Sequence, residues 1–328
     1  MLLPLSAAAS VTRVMAPLFG SPATLLAAGT AAPASAFDAV LGDLRGIDRR
    51  FNAWKPGELV SFNEALRSGR AVNVSPDLHE LLVGATRAER RSGGCFNAAI
   101  GGLVGAWGFH ADRLLPGTRP HAAQLAPWRD AAPSLAQLQW QGTQVRCANA
   151  RLQVDLGGYA KGWAADRALD RLAAAGVHDA VVDLGGNLAA MGRAGLRPWR
   201  VGLRDPAGAG LIGQIEVAGR EAVITSGTYE RFRVLDGERA PHVIDPVRGT
   251  PAAALLSATV VHPSAAWADG AATALLVAGA RGWRALATQL GLDQVLVVDR
   301  EQRAWATPAL AARLRDMPAA WRERLHIA

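Results

Sequence analysis

The sequence predicts an α+β fold, a mixture of helices and mostly antiparallel sheets, and three observations support that prediction. Apolar residues recur at helical spacing in four segments, 35–52, 75–94, 162–175 and 264–279. Short apolar runs lie between these segments and are separated by Gly, Asp and Pro, as strands joined by turns are. The regular strand–helix–strand alternation of a doubly wound parallel sheet is absent.

The first half of the chain begins with a predicted core strand at 23–30, followed by the helix at 35–52. The helix at 75–94 has the clearest boundaries. Ser75 is a favourable N-cap, and Gly93-Gly94 suits the end of the helix.

The short alternating runs in residues 133–156, with a turn at Gly142, predict a small antiparallel sheet. The last part, 151–156, is interpreted as a strand. Gly157-Gly158 and a helix starting near Gly162 follow. A strand, a glycine turn and a helix start can cradle a phosphate, because the first N–H groups of a helix have no internal partner. An ordinary tight turn is the alternative interpretation.

The second half of the chain is predicted to be rich in strands. Two strands flank a second glycine turn at 185–186, and Ser264 is expected near the N-cap of the helix at 264–279. A terminal hairpin is expected at 294–308. The remaining predicted strands cover 199–206, 213–219, 221–227, 230–237 and 257–263.

The composition is that of a globular protein, with 50% hydrophobic and 19% charged residues among 328. The formal net charge of +7 comes from scattered arginines, and the chain has two lysines, Lys55 and Lys161. Scattered positive charge predicts a solvated basic surface and no nucleic-acid partner. Cys95 and Cys147 are expected to be small buried residues; a single bridge between them stays open, and neither a disulfide scaffold nor a zinc site is expected.

Residues 1–14 are expected to form an N-terminal extension that could be disordered, and residues 15–328 a single domain. The segment 32–36, APASA, imitates a signal-peptide cleavage site, but Pro17 and Gly20 interrupt the apolar run before it. Structure is therefore favoured over a signal. Because no segment approaches about 18 uninterrupted apolar residues, no transmembrane span is expected.

Two groups of polar residues are candidates for chemistry. Asp269 and Thr273 are four residues apart and share one face of a predicted helix, and such oxygen ligands suit magnesium. A polar helix surface is the alternative. His242, three residues before Asp245, is either a proton carrier or a hydrogen-bonded structural histidine. Asp155 either contacts a nucleotide or caps its turn.

Eight segments of the chain, quoted below and taken in sequence order, resemble the ApbE family of FAD:protein FMN transferases. The resemblance runs from about residue 15 to about residue 310. The resemblance is most specific in DLGGYAKG, HVIDPVRG and ADGAATAL. Further segments that carry it are FNAWKPGELVSFNEA, GGCFNAAIGGLVGAWGF, VVDLGGNLAAMG, WRVGLRDP and TSGTYERF.

The resemblance implies an ApbE-type fold with FAD in a cleft between two lobes. It also implies a magnesium-dependent reaction that cuts FAD at its pyrophosphate, transfers FMN to a threonine hydroxyl of a target flavoprotein through a phosphoester bond, and releases AMP. The acceptor would carry a D/S-G-A/S-T-type motif. A magnesium-dependent FAD pyrophosphatase and a non-catalytic FAD-binding carrier are the alternatives.

The same resemblance implies roles for individual residues. His242 matches the histidine that helps to deprotonate the acceptor threonine, and Lys161 and the N-terminus of its helix would place positive potential beside the phosphates. Magnesium would be held by Asp269 and Thr273. A backbone carbonyl in the segment that contains Gly158 and Ala160 would complete this metal site. The FAD-contacting positions of the family correspond to Phe19, Trp54, Phe96, Asn97, Ala98, Asp155, Lys161 and Ile244.

The chain departs from the family pattern at four positions. Asn97, Asn187 and Thr228 stand where relatives commonly carry an acid, and Ala272 stands where some relatives have another acidic metal ligand. The loss of these carboxylates could alter metal binding, or it could mark a subgroup of the family without changing metal binding. Because no convincing export signal or lipobox is found, a cytoplasmic location is expected. The periplasmic side of the inner membrane, as for many relatives, is the alternative.

Overall fold

The structure is a computed structural model that describes residues 11–29 and 34–328. Its helices are α1 (Ala34–Arg50), α2 (Glu58–Arg67), α3 (Pro76–Arg91), α4 (Gly101–Ala106), α5 (Ala122–Arg129), α6 (Ala160–Ala174), α7 (Ala265–Leu290), α8 (Pro308–Ala311) and α9 (Ala319–Arg322). Its strands are β1 (Val11–Leu18), β2 (Ser21–Ala28), β3 (Val72–Asn73), β4 (Gln139–Gln141), β5 (Gln144–Arg146), β6 (Ala180–Leu184), β7 (Asn187–Met191), β8 (Trp199–Arg204), β9 (Leu211–Val217), β10 (Glu221–Gly227), β11 (Phe232–Leu235), β12 (Glu238–Pro241), β13 (Leu255–His262), β14 (Val295–Asp299), β15 (Ala304–Ala306) and β16 (Leu325–Ile327).

The largest sheet has the strand order β1-β2-β6-β7-β10-β13-β14-β15-β16. Each neighbouring pair is antiparallel except β15 and β16, which are parallel. Two hairpins, β8–β9 and β11–β12, and the small sheet β3-β5-β4 complete the strand pairing of the described ranges. The predicted α+β class with mostly antiparallel sheets is confirmed.

The central strands carry mostly apolar side chains on both faces because the large sheet is covered on both sides. In β14, Val295 and Val297 pack towards α6 and α7, whereas Leu296 and Val298 pack towards the opposite face. That opposite face is covered by the β8–β9 hairpin and by the C-terminal segment that contains Trp321. Alternating side chains of one strand therefore serve two separate apolar clusters.

Two hairpin turns lie side by side at one end of the large sheet. Phe19 and Gly20 join β1 to β2 with φ values of 53° and 72°, and Gly185 and Gly186 join β6 to β7 with 64° and 93°. Positive φ at both central residues is what two-residue hairpin loops require. A Cβ added to Gly185 would lie 2.1 Å from the Ser21 hydroxyl oxygen, so the two turns are in close contact. The glycine turn at 185–186 is therefore a hairpin turn.

Helices α6 and α7 pack against the same face of the sheet and contact each other closely. A Cβ added to Gly162 of α6 would lie 2.2 Å from the carbonyl oxygen of Ala265 in α7. Asp166 of α6 accepts hydrogen bonds from the amides of Ala265 and Ala266, each at 3.0 Å. Ser264 caps α7 by accepting from the Trp267 amide at 3.3 Å, as predicted.

Several predicted boundaries are wrong. Residues 151–156 do not form the predicted strand: their only ladder contact is an isolated bridge between Gln153 and Ile100, because neighbouring backbone groups bond elsewhere. Asn63 both donates to and accepts from the Val154 backbone, and the Asp155 amide donates to the Ala98 carbonyl.

Three further boundaries differ from the predictions. Helix α6 starts at Ala160 rather than near Gly162, and α7 continues to Leu290 after a break at Gly279, where φ is 68°. The boundary expected after residue 14 falls inside β1, because residues 11–14 already pair with β2; residues 1–10 lie outside the described residues. Both cysteines are free thiols, so no bridge joins them. None of the described helices is long and apolar enough to span a bilayer.

Candidate active site

A cavity of about 430 Å³ lies between the main apolar cluster and a smaller cluster built around Leu103, Phe109 and Ile244. Twelve of the thirteen predicted site residues line it, and Ala98 is the exception. The twelve are Phe19, Trp54, Phe96, Asn97, Asp155, Gly158, Ala160, Lys161, His242, Ile244, Asp269 and Thr273.

Ala98 is 2% exposed and packs in the main cluster. Its carbonyl accepts from the Asp155 amide at 2.8 Å, so it positions the cavity wall without facing the cavity. The side chain of Asn97 is held at both ends, because it donates to the Pro133 carbonyl at 2.9 Å and accepts from the Ala99 amide at 2.7 Å.

The start of α6 brings the backbone close to α7. A Cβ added to Gly158 would lie 2.9 Å from the Thr273 hydroxyl oxygen, so a residue larger than glycine would displace one of the two segments. The amides of Tyr159 and Ala160 both donate to the Leu156 carbonyl, and the Gly162 amide donates to Asp269 at 2.9 Å. These three amides are therefore paired within the fold, and the phosphate cradle stays a prediction for the rest of the turn.

Asp269 and Thr273 face the cavity from α7, four residues apart as predicted. Asp269 is 2% exposed, and the Thr273 hydroxyl lies 3.4 Å from that of Ser226 in β10. Burial raises the pKa of the Asp269 carboxyl above its usual value, whereas the positive charge of Lys161 and the Gly162 amide act in the opposite direction.

The donors around Asp269 fit a hard divalent cation. One buried carboxylate, the hydroxyls of Thr273 and Ser226, and the adjacent backbone at Gly158 are all oxygen donors, which magnesium prefers. No cluster of three or more His, Cys, Asp or Glu residues within 11–29 and 34–328 could hold a metal ion by itself. This donor set suits a cation whose shell is completed by water and substrate phosphates.

His242 is held in one tautomer. Its Nδ1 atom lies 3.0 Å from the Arg231 carbonyl oxygen, which can only accept, so Nδ1 carries the proton and Nε2 has the free lone pair. Burial and the nearby charge of Lys161 lower the pKa of His242 to about 4. The imidazole is therefore neutral at physiological pH and can accept a proton.

Asp155 is paired with a histidine that the sequence analysis did not single out. The His110 Nε2 atom lies 3.0 Å from one oxygen of Asp155, and the Gly157 amide donates to the other at 2.8 Å. Burial alone would raise the pKa of Asp155, but the bond and charge of His110 outweigh it, so the pKa lies below its usual value. The His110 ring also stacks on Trp54, with centroids 5.6 Å apart.

Arg231 is a second residue that the sequence analysis missed. It lines the cavity, lies 5.1 Å from the Trp54 ring centroid, and donates to the carbonyls of Phe109 and Ala111 at 2.6 and 2.8 Å. These bonds fix the loop that carries His110. No local pattern identifies either residue, because their partners are distant in the sequence.

Two of the four departures from the family pattern lie away from the cavity. Ala272 is fully buried in the main cluster, and the Thr228 hydroxyl donates to the Leu256 carbonyl at 3.1 Å. Asn97 and Asn187 do line the cavity, and of these Asn187 is the one near Asp269.

Comparison with known proteins identifies the class. The model of the ApbE family matches residues 19–296. A relative from Rhodobacter capsulatus, named FAD:protein FMN transferase, is 43% identical over 277 residues, covering 84% of this chain and 53% of the relative. One of the same name from Treponema pallidum is 34% identical over 275 residues, covering 80% and 76%. The chain thus spans about half the length of the first relative and three quarters of the second.

Solved structures agree in fold. The chain resembles the flavinyl transferase ApbE of Pseudomonas stutzeri in its apo form, with a TM-score of 0.81, 28% identity, and coverage of 94% of this chain and 98% of that one. It resembles the ApbE protein of Thermotoga maritima with a TM-score of 0.84, 25% identity, and coverage of 94% and 100%. The class that these proteins define is that of the flavin transferases. The chain belongs to the ApbE family.

Proposed function

We propose that this chain is an FAD:protein FMN transferase, which moves FMN from FAD to a threonine hydroxyl of an acceptor flavoprotein and releases AMP. The observation that carries the proposal is that one cavity holds neutral His242, the ammonium-bearing Lys161 and the oxygen donors Asp269 and Thr273. A proton acceptor and a site for charge compensation are the two features that phosphoryl transfer requires.

The wall of the cavity provides binding groups for both halves of FAD. The aromatic rings of Phe19 and Trp54 can stack on flavin or adenine. Asp155, kept ionised by His110, can accept hydrogen bonds from ribose or adenine. The positive charge of Lys161 can offset the negative charge of the pyrophosphate.

Asp269, Thr273 and the backbone of the Gly158–Ala160 segment are the groups that would hold magnesium. The ion would neutralise charge on the phosphoryl oxygens when bound. The protein's own contribution to proton transfer is His242, whose Nε2 atom takes the proton from the attacking threonine hydroxyl.

The proposed reaction balances without a further reactant. The threonine oxygen bonds to the phosphorus of the FMN half, and the bond from that phosphorus to the bridging pyrophosphate oxygen breaks. AMP leaves with the bridging oxygen, and the hydroxyl proton passes to His242.

One assay tests this function against its alternatives. The purified chain is incubated with FAD, magnesium and an acceptor domain carrying a D/S-G-A/S-T-type segment, and covalent flavin fluorescence is recorded on a denaturing gel while AMP is measured. A labelled acceptor together with AMP supports transfer. Free FMN and AMP without label would identify a pyrophosphatase, and bound, uncleaved FAD would identify a carrier.

A further inference from the structure

Strand β1 forms one edge of the large sheet, and among the described residues it pairs with β2 alone. Pro17 lies opposite Pro22 in that pairing, and neither has an N–H group, so the two form a non-hydrogen-bonded pair of the ladder. Such pairs alternate with hydrogen-bonded ones along antiparallel strands. Met15 and Arg13 therefore direct their backbone N–H and C=O groups away from β2, towards the outer edge.

The side chains of β1 divide between two faces of the sheet. Ala16 and Leu18 are buried and pack in the main cluster. Arg13, Met15 and Pro17 project to the other face and are exposed, Met15 to 55%. An apolar side chain on an open strand edge marks a surface that another strand can cover.

A groove of about 530 Å³ runs beside this edge, and we call it the β1 groove. It is lined by residues 15–18 of β1, by the turn that follows and by Asp48 of α1. Gly20 and Asp48 line both the groove and the active-site cavity. The Asp48 carboxylate accepts from the Phe19 amide at 3.1 Å, which holds the turn in place at this junction. The groove and the cavity are therefore neighbouring spaces that share part of their walls.

The opposite edge of the large sheet has no such arrangement. It is formed by β16, which has three residues, Leu325–Ile327. None of them lines the cavity or the β1 groove. Of the two edges of this sheet, the one at β1 leads to the reaction site.

We propose that an extended segment of the acceptor flavoprotein pairs with the outer edge of β1 and lies along the β1 groove, which brings its threonine to the cavity. The inference rests on the proposed function in taking a threonine-bearing acceptor as the partner. A threonine that reacts inside the cavity arrives on a backbone that passes the cavity wall, and the groove meets that wall at Gly20 and Asp48. Strand addition provides affinity through main-chain hydrogen bonds.

Hydrogen exchange in the full chain, resolved to single amides, tests this docking without catalysis. The probe is an acceptor domain with a D/S-G-A/S-T-type segment whose threonine is replaced by alanine, added with FAD and magnesium. We expect exchange of the Arg13 and Met15 amides to slow by about fivefold or more, and exchange in β16 to stay unchanged. Unchanged exchange at Arg13 and Met15 with saturating acceptor domain would overturn the proposal. Full protection before the domain is added would also overturn it, because the chain itself or a second copy would then cover the edge.

A substitution at Met15 tests the backbone contact during transfer. Met15→Pro removes the outward N–H and places a ring at the edge, but it breaks no bond to β2. We expect the KM for the acceptor to rise by about tenfold or more, with kcat at saturating acceptor and FAD affinity within about twofold of the native chain.

Met15→Ala is the matched control, because it also removes the methionine side chain but keeps the N–H. Its KM should stay within about threefold of the native value. Equal KM values for the two variants would overturn strand pairing. If Met15→Pro lowers the melting temperature, Arg13→Pro and Arg13→Ala make the same comparison at the second outward position.

The two proposals fail in different ways. Efficient transfer by a folded Met15→Pro variant with an unchanged KM would count against the docking surface alone. FMN and AMP released without a labelled acceptor would count against the proposed function. In that case, the exchange of the Arg13 and Met15 amides would still decide whether the acceptor domain binds at β1.

Discussion

At the scale of single residues, the fold changes the chemistry of side chains whose types the sequence already shows. His242 is a neutral proton acceptor because it is buried near Lys161 and hydrogen-bonded to the Arg231 carbonyl. Asp155 is kept ionised by His110 despite its burial. In both cases the partner, rather than the residue type, decides the protonation state.

Replacing His242 should affect transfer more than FAD binding. His242→Ala is expected to slow transfer by about 10²-fold or more, because a general base is lost, while FAD affinity changes little. Since the pKa of the free-enzyme imidazole is about 4, kcat/KM of the native chain should show no acid limb near pH 6.5. An equal loss of transfer and of FAD affinity would make His242 a binding residue only.

Replacing Asp269 should abolish transfer without unfolding the chain. Asp269→Asn keeps an oxygen that can accept from the Gly162 amide and removes the charge that a cation needs. We expect transfer to fall by at least about hundredfold, with a melting temperature close to that of the native chain. Asp269→Ala should be equally inactive, and full activity in either variant would contradict the metal assignment.

Replacing His110 should make stability depend differently on pH. Because the folded-state pKa of Asp155 is lowered, its ionised form stabilises the fold above the unfolded value of about 3.9, and this contribution is lost as the pH falls through the folded-state pKa. His110→Phe keeps a ring against Trp54 but removes the donor. It should cost about 1–3 kcal/mol at pH 7 and less at a pH below the folded-state pKa of Asp155, as measured by urea unfolding. His110→Gln, which retains a donor, is the control, and equal losses at both pH values would contradict the prediction.

At the scale of elements, the contact between α6 and α7 sets the relative positions of Lys161, at the start of α6, and Asp269, in α7. Gly162 allows the backbone of α6 to approach Ala265, and its amide bonds to Asp269. Asp166, one turn further along α6, bonds to the first amides of α7. The positions of Lys161 and Asp269 therefore depend on one helix crossing.

Adding one methyl group at that crossing should destabilise the fold. A Cβ at Gly162 would lie 2.2 Å from the Ala265 carbonyl oxygen, so Gly162→Ala is expected to cost about 1–3 kcal/mol in urea unfolding. Gly42→Ala in α1 is the matched control, because a Cβ there meets no atom within 4 Å. That variant should be neutral or up to about 1 kcal/mol more stable. Equal effects of the two substitutions would show that the close crossing is not required.

At the scale of the whole molecule, the cavity lies where two apolar clusters meet. Residues of the main cluster such as Phe96 and Ala160 form one side, and Ile100, Phe109 and Ile244 of the smaller cluster form the other. A ligand in this cavity therefore contacts two separately packed parts of the chain.

FAD should accordingly stabilise the native state. At 100 times its dissociation constant, a ligand that binds only the folded chain adds about 2.7 kcal/mol, which raises the melting temperature by several degrees. The shift, measured by circular dichroism, should be larger with magnesium than with EDTA. An absence of any shift at saturating FAD would contradict the assignment of the cavity.

The sequence by itself determined the features that depend on near neighbours. The helix-forming periodicity, the Ser264 cap and the shared helix face of Asp269 and Thr273 follow from residues within a few positions of one another, and all are confirmed. The tertiary structure decided the rest. Residues 151–156 bond to Asn63 and to the segment near Ala98 instead of forming a strand, His110 reaches Asp155 across 45 positions, and Asn187 faces Asp269. Such contacts, and the burial that sets the protonation of His242, arise only when distant segments pack together, because local sequence does not encode which groups surround a buried side chain.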